Sequence, residues 1–272
     1  MSVPAIETEG LTKLYGSARG IEDVTFSVEP GEVFGFLGPN GAGKTTTIRA
    51  LLDLHHPTGG SARLFGLDSR QDSVAIRARL GNLPGDFGFG RQASGREALR
   101  LLAKLRGVDG LGRAEALAER FHADLERPLG QLSRGNRQKV GLILATFHEP
   151  ELLIFDEPTS GLDPLMQEEF LALVAEERAR GCTVFVSSHD LDEVQRICDR
   201  VGIVKDGRLI AVERVAELLA KTQRRNLVEV EFAEPVELED VCAMPGVVGA
   251  EFAHSNLEQV FLTYYSEEEG EA

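Results

Sequence analysis

Apolar and polar positions follow one pattern at the start of the chain and another after it. Residues 6–29 alternate apolar and polar in short runs that stop at the turn Pro30-Gly31, which predicts two or three antiparallel strands. After this turn an apolar run at residues 33–37 reads as a buried strand, and a helix over residues 46–54 follows a glycine-rich loop. The change predicts that a strand-loop-helix unit succeeds an antiparallel layer.

Further along, the pattern becomes helical and then returns to alternating strands and helices. Apolar residues at helical spacing predict two helices, 96–105 and 113–121. Beyond them the predicted elements are a strand 152–155, a helix 165–180, a strand 183–187, a helix 191–198, and strands 201–204 and 209–212 around the hairpin turn Asp206-Gly207. We therefore predict an α/β chain with a parallel-stranded core, a helical insertion and a small antiparallel layer.

The C-terminal part is predicted to be separate. A basic cluster, Lys221, Arg224 and Arg225, marks a boundary, and strands 227–232 and 247–252, one or two helical turns at 238–242 and a helix 257–265 follow it. About 45 residues are too few for an independent core, so this part should pack on the main domain or on a second copy. The predicted domains are 1–221, with a helical subdomain at about 86–148, a small α+β domain 222–266 and an acidic disordered tail 267–272.

Charge and hydrophobic runs restrict the partners and the compartment. The 272-residue chain has a formal charge of −15, which argues against a nucleic-acid partner because binding phosphate backbones needs a basic surface. The longest clean apolar run, 140–147, is far shorter than the ~20 residues that cross a bilayer. The first 14 residues include acids and no signal-peptide core, so the chain is expected in the cytosol.

The most specific motif is a phosphate-binding loop between the strand at 33–37 and the next helix. It matches G-x-x-x-x-G-K-[ST] at every fixed position, and its flexible glycines let backbone N–H groups turn toward phosphate oxygens. Lys44 should contact the β and γ phosphates, and the Thr45 hydroxyl should ligate Mg²⁺. The predicted nucleotide-binding residues are Gly38, Pro39, Asn40, Gly41, Ala42, Gly43, Lys44, Thr45 and Thr46.

Two acidic residues, Asp156 and Glu157, end the apolar strand at 152–155. At such a strand end Asp156 would complete the Mg²⁺ shell and Glu157 would orient and deprotonate an attacking water. A turn is the alternative for an isolated Asp-Glu pair. The upstream Lys44 and Thr45 favour the metal and base roles.

A second helix start lies at Ser133, where the serine is in N-cap position and Gly135 follows. An exposed helix N-terminus is an anion site, and it lies far along the chain from the phosphate loop. Two such ends in one chain suggest two chains that share one nucleotide, whereas an ordinary capped helix is the alternative.

Five motifs in order now show a resemblance: the phosphate loop, Ser133-Arg134-Gly135-Asn136, Asp156-Glu157, Ser160-Gly161-Leu162-Asp163 and Ser187-Ser188-His189. Over residues 6–218 the chain resembles the ATP-binding subunit of an ABC transporter. The tail 257–262 resembles exporter-type cassettes that are encoded apart from their membrane subunits. The fold implied is a P-loop NTPase core with a small antiparallel β layer, an inserted helical subdomain and a small C-terminal α+β appendage.

The resemblance also implies roles for individual residues. Tyr15 would stack on adenine, the alternative being a strand residue that fills the core. Ser133, Gly135 and Asn136 would bind the γ-phosphate held by a partner subunit. Asp163 would join the two subunits, and His189 would contact the γ-phosphate and hold the attacking water.

Two positions depart from the pattern of the family. Arg134 and Asn136 stand where the signature usually has glycine and glutamine. Leu83-Pro84-Gly85-Asp86 occupies the loop where a Mg²⁺-sensing glutamine is expected. Either Asp86 ligates the metal through water or the ligand is missing, and we favour a role for Asp86 or for Mg²⁺-bound water alone.

The predicted function is a cytoplasmic ATPase, peripheral on the inner face of the membrane, that uses ATP and Mg²⁺. Two copies would form a head-to-tail homodimer around two ATP molecules and drive a polytopic transmembrane permease, with export as the direction. The alternatives are a soluble ABC-type protein that acts on DNA or ribosomes and an ATP-binding regulator without hydrolysis. The charge and the single cassette disfavour the first, and Glu157 and His189 disfavour the second.

Overall fold

The computed structural model describes residues 3–16, 18–88, 90, 92–222 and 241. The chain divides into two compact units, Met1–Arg214 and Val215–Ala272. Of the second unit, the described residues are residue 241 and the helix Val215–Thr222, named α8. The domain boundaries given above stay a prediction, and the elements and tail predicted beyond residue 222 lie outside the described residues, apart from residue 241.

The first unit combines strands and helices. In chain order its described strands are β1 Ile6–Tyr15, β2 Ala18–Val28, β3 Val33–Leu37, β4 Gly59–Leu64, β5 Leu67–Asp68, β6 Leu80–Leu83, β7 Leu152–Asp156, β8 Thr183–Ser188, β9 Arg200–Lys205 and β10 Arg208–Arg214. Its helices are α1 Lys44–Leu51, α2 Ser73–Arg79, α3 Gly95–Arg106, α4 Gly112–Arg120, α5 Arg134–Thr146, α6 Pro164–Ala179 and α7 Leu191–Ile197, with a 3-10 helix at Leu129–Gln131. Among the helices of the described residues, none has both the length and the apolar character to cross a membrane.

Within the described part of the chain, the larger sheet has six strands in the order β10-β9-β3-β8-β7-β6. β3 pairs in parallel with β8 and β9, and β7 pairs in parallel with β6 and β8. β10 runs antiparallel to β9 after Asp206 and Gly207, whose φ angles of 48° and 79° suit the predicted hairpin turn. Because β3, β8 and β7 are parallel neighbours, their carboxyl ends lie side by side at one edge of the sheet.

The smaller sheet is antiparallel, with the order β2-β1-β4-β5. The antiparallel strands predicted over residues 6–29 are present as β1 and β2, whereas β4 was not predicted because glycines begin it and interrupt the apolar pattern. Gly60 has a φ of 71°, and a Cβ built on it would lie 2.1 Å from the carbonyl oxygen of Gly10. Only glycine therefore lets β4 approach β1 this closely.

The two sheets share an aromatic core. Phe26 from β2 stacks on Phe34 of β3 and on Phe185 of β8, with ring centroids 5.5 and 5.9 Å apart. Phe36 lies 5.4 Å from the Phe185 ring. All four side chains are buried, so the antiparallel layer packs on the strands that lead into the phosphate loop and into His189.

A helical segment is inserted between β6 and β7, as predicted. α3 begins with a capping box in which Ser94 and Glu97 bond each other's backbone N–H, and it ends at Gly107 in the left-handed region. α4 is tied to α6 because Arg120 pairs with Glu169 at 2.6 Å and with Glu176 at 2.8 Å. The start of α5 lies next to the loop that follows β7, where a Cβ on Gly135 would be 2.6 Å from the Gly161 carbonyl oxygen.

Candidate functional site

The phosphate loop connects the buried strand β3 to α1. Gly41 and Gly43 have φ angles of 84° and 108°, which side chains of L-residues rarely adopt. Gly43 is also the N-cap of α1, and a Cβ on it would lie 2.8 Å from the Ile21 side chain. These two positions therefore require glycine, and the backbone takes the turn that the motif predicts.

Lys44 is buried inside this loop. Its Nζ donates a hydrogen bond to the carbonyl oxygen of Gly38 at 2.6 Å and forms an ion pair with Glu157 Oε1 at 3.0 Å. The lysine thus joins the end of β3 to the acidic end of β7. Its charge lies where the loop glycines turn, which suits a polyanion.

Asp156 is held by a hydroxyl on each of its two oxygens. Thr45 Oγ1 donates to Asp156 Oδ2 at 2.8 Å, and Ser187 Oγ donates to Asp156 Oδ1 at 2.6 Å. The carboxylate is 2% exposed, so its position is determined by these contacts and by β7. Thr45 and Asp156 therefore offer adjacent hard oxygen atoms of the type that Mg²⁺ prefers.

Glu157 and His189 meet at the ends of β7 and β8. His189 Nδ1 lies 2.6 Å from Glu157 Oε2, and the Glu157 backbone N–H donates to the Ser187 carbonyl oxygen at 3.1 Å. Glu157 has a φ of 52°, an uncommon conformation for a residue with a side chain. Local strain of this kind occurs often at functional positions. The contacts with Lys44 and His189 hold the Glu157 carboxylate between them.

The start of α5 lies beside the loop that follows Glu157. Ser133 caps the helix by accepting a hydrogen bond from Asn136 N at 3.2 Å, as predicted from the sequence. Arg134 Nη2 donates to Ser160 Oγ at 2.6 Å, and a Cβ on Gly135 would lie 2.6 Å from the Gly161 carbonyl oxygen. These contacts within one chain join the start of α5 to the Ser160–Gly161 turn, not to the phosphate loop.

The remaining predicted residues lie in different places. Asp163 is exposed and caps α6 by accepting from Met166 N at 3.1 Å. Tyr15 is 41% exposed at the end of β1 and its hydroxyl contacts His55 Nδ1, so the alternative that it fills the core is wrong. Asp86 is exposed, while Gly85 has its backbone against Asp156, since a Cβ there would lie 3.2 Å from Asp156 Oδ2.

Two further residues, which the sequence analysis did not single out, contact the site. Gln138 in α5 is 4% exposed, and its Nε2 donates to the carbonyl oxygens of Glu157 and Pro158 at 3.1 and 2.9 Å. Glu193 in α7 is buried, and desolvation raises the pKa of its carboxyl to about 7. Neither residue had a clear signal in the sequence, because each has a charged neighbour in its helix and its burial is visible only in the packed structure.

Comparisons with known proteins identify the family of the chain. The family model described as ABC transporter matches residues 21–160. The chain belongs to the ABC transporter family. Its relatives include the bacitracin transport ATP-binding protein BcrA of Enterococcus faecalis, 38% identical over 224 residues that cover 80% of this chain and 72% of BcrA. The Nod factor export ATP-binding protein I of Paraburkholderia xenovorans (strain LB400) is 33% identical over 248 residues, which cover 89% of this chain and 82% of that protein.

A solved structure confirms the fold of this ABC protein. The structure of an ATP-binding subunit of an ABC transporter superposes with a TM-score of 0.78 at 27% identity and covers 96% of this chain and 100% of that one. The predicted P-loop α/β core with its antiparallel layer and helical insertion is thus confirmed. The chain is an ATP-binding subunit of the ABC type and an ATPase, as the sequence predicted.

Proposed function

We propose that this ABC ATPase energises the export of a substrate through a separate polytopic permease, and that it works at the cytoplasmic face of the membrane as a peripheral subunit. The names of two relatives, one for bacitracin transport and one for Nod factor export, support this direction. The substrate would be selected by the permease, since the motifs of this chain are those expected for nucleotide binding.

Lys44, Thr45 and Asp156 form the first half of the proposed nucleotide site. Lys44 would neutralise charge on the β and γ phosphates, and the loop from Gly38 to Thr46 would surround them. The adjacent Thr45 and Asp156 oxygens fit Mg²⁺, with Asp86 as a further candidate through water. When bound, Mg²⁺ would offset the negative charge on the phosphates.

Glu157 is the proposed general base and His189 its neighbour at the γ-phosphate. The two side chains already contact each other, so a water bound between them and the phosphate would be oriented by both. To accept a proton from that water, Glu157 needs one of its carboxylate oxygens within hydrogen-bond distance of it. Oε2 lies on the His189 side of the carboxylate and Oε1 on the Lys44 side.

The second half of the site is proposed to come from another copy of the chain. Ser133 and Asp163 are exposed, and the start of α5 presents backbone N–H groups with no acidic residue in its first turn. Placed against the phosphate loop of a partner, Ser133, Gly135 and Asn136 would contact its γ-phosphate, with Asp163 close by. Tyr15 would stack on adenine from the exposed end of β1.

A single observation supports the proposal most directly: Lys44, Thr45, Asp156, Glu157 and His189 meet at adjoining ends of β3, β7 and β8. Removing the base while keeping its shape separates binding from hydrolysis. For Glu157→Gln we expect hydrolysis to fall by about 10²–10⁴-fold. ATP binding should persist, and analytical ultracentrifugation should show an ATP-dependent dimer.

The exposed Glu119 in α4 gives a matched control, because Glu119→Gln makes the same chemical change far from this cluster in the sequence. It should hydrolyse ATP at the parental rate. A Glu157→Gln protein that turns over normally, or that stays monomeric with ATP, would contradict the proposal. Co-purification of the ATP-trapped variant from membranes tests the permease, since a polytopic membrane protein should accompany it.

A further inference from the structure

Glu193 lies on the buried side of α7, beneath the two loops that hold the proposed base and its histidine. Its Oε2 accepts hydrogen bonds from Ser188 Oγ at 2.8 Å and from Thr159 Oγ1 at 3.1 Å. Thr159 comes two residues after Glu157, and Ser188 directly precedes His189. One carboxyl oxygen therefore joins the loop after β7 to the loop after β8.

The cost of burying this acid makes an ordinary packing role a poor explanation. The residue is 6% exposed, and Oε1 has no hydrogen-bond partner among the described residues. Desolvation raises the pKa of the carboxyl, and the nearby carboxylates of Asp190 and Glu157 raise it further. An apolar side chain of similar size would avoid the cost of burying the carboxyl. It would, however, not form the hydrogen bonds that link the two loops.

We propose that Glu193 is a positioning residue for ATP hydrolysis, which acts by holding the loop of Glu157 at a fixed distance from the loop of His189. The inference rests on the proposed roles of those two residues. Glu193 lies behind both of them and contacts them through Thr159 and Ser188. Its loss would let Glu157 and His189 shift relative to each other while the phosphate loop stays intact.

The first test compares two substitutions at the same position. Glu193→Gln keeps an oxygen that accepts from both hydroxyls, whereas Glu193→Ala removes it. We expect Glu193→Ala to lower kcat by about tenfold or more, because small errors of position are costly in catalysis. Affinity for a non-hydrolysable ATP analogue should be unchanged, and Glu193→Gln should restore most of kcat.

Asp192→Asn is the matched control, since Asp192 is the exposed neighbour on the same helix. Should Glu193→Ala fail to fold, Thr159→Val and Ser188→Ala remove the two donors one at a time. Each should lower kcat by roughly threefold to tenfold without a change in analogue affinity. Parental kcat in both donor variants would overturn the proposal.

A double substitution separates positioning from an independent effect. In the Glu157→Gln background, adding Glu193→Ala should change the residual hydrolysis by about twofold at most, because residues that act through one another are not additive. A full further loss, or a Glu193→Ala protein that loses analogue binding together with kcat, would overturn the inference. The proposed function fails separately, if Glu157→Gln itself hydrolyses ATP normally.

Discussion

Around the phosphate loop, Lys44, Thr45, Asp156 and Glu157 contact one another across neighbouring strand ends, whereas Ser133 and Asp163 face the surface and cap their own helices. The first group is positioned by a buried parallel sheet. The second is positioned by two helix starts and by the contact of Arg134 with Ser160. One region is thus assembled by the fold of a single chain, while the other is the surface that we propose contacts a second copy.

The largest effect is expected when the lysine is removed from the region around the phosphate loop. For Lys44→Ala we expect ATP affinity to fall by about 10²–10³-fold, roughly 3–4 kcal/mol, as for the loss of one partner from a buried charge pair. Isothermal titration with ATP measures the loss. An affinity within error of the parent would show that Lys44 does not contact phosphate.

The pH dependence of the free energy of unfolding measures what it costs to bury Glu193. Desolvation raises the pKa of Glu193 from 4.5 to about 7, so between these values the folded chain binds more protons than the unfolded chain. The free energy of unfolding should therefore fall as pH rises from 4.5 to 7 and level off above that. This contribution of Glu193 to the free energy of unfolding is at most about 3.5 kcal/mol, at about 1.4 kcal/mol per pKa unit.

Urea denaturation of the parent and of Glu193→Gln across this pH range isolates this contribution, because the variant retains all other titrating groups. His148 contributes with the opposite sign, since burial lowers its pKa to about 4, and it cancels in the difference. A difference that does not vary with pH would mean that Glu193 titrates normally.

Gln138 lies where the two regions meet, so its replacement tests how much the contact between them contributes to stability. Gln138→Leu keeps the bulk and leaves the carbonyl oxygens of Glu157 and Pro158 without their donor. We expect the free energy of unfolding to fall by about 2 kcal/mol, which is the usual cost of leaving buried acceptors unpaired. Thermal and urea unfolding should agree on this loss, and unchanged stability would show that water replaces the amide.

The smallest expected effect compares two serines that cap helices in the same way. Ser133→Ala and Ser94→Ala each remove a side-chain cap, so each should cost about 1 kcal/mol of stability. In turnover the two variants should differ. Ser133→Ala should lower ATP-dependent dimerisation and hydrolysis by about tenfold, in line with the loss of a charge-assisted hydrogen bond. Equal turnover in the two variants would leave Ser133 as a cap alone.

The sequence predicted the parts of this protein that have local signals. The phosphate loop requires glycines at fixed spacing, and the apolar run into Asp156-Glu157 marks a buried strand end, so both were identified from a few neighbouring residues. The capped start of α5 was found in the same way. These features depend on backbone geometry that is determined within about ten residues.

Other features depend on contacts between residues distant in the chain. β4 was not predicted, since its pairing with β1 depends on the close approach of Gly60 to Gly10 and not on an apolar pattern. Gln138 and Glu193 gained their roles only when α5 and α7 packed against the strand ends. The contact of Gly85 with Asp156 likewise needed the three-dimensional arrangement of β6 beside β7.

The aromatic core between the sheets affects how the protein unfolds. Phe26 belongs to the antiparallel layer, while its ring neighbours Phe34 and Phe185 lie on the strands that end in the phosphate loop and His189. Separating that layer from the larger sheet would expose four aromatic rings to water at once, so local unfolding there should also disturb the sheet edge that carries the phosphate loop and His189. Amide exchange in β2 should accordingly be as slow as in β3 and β8.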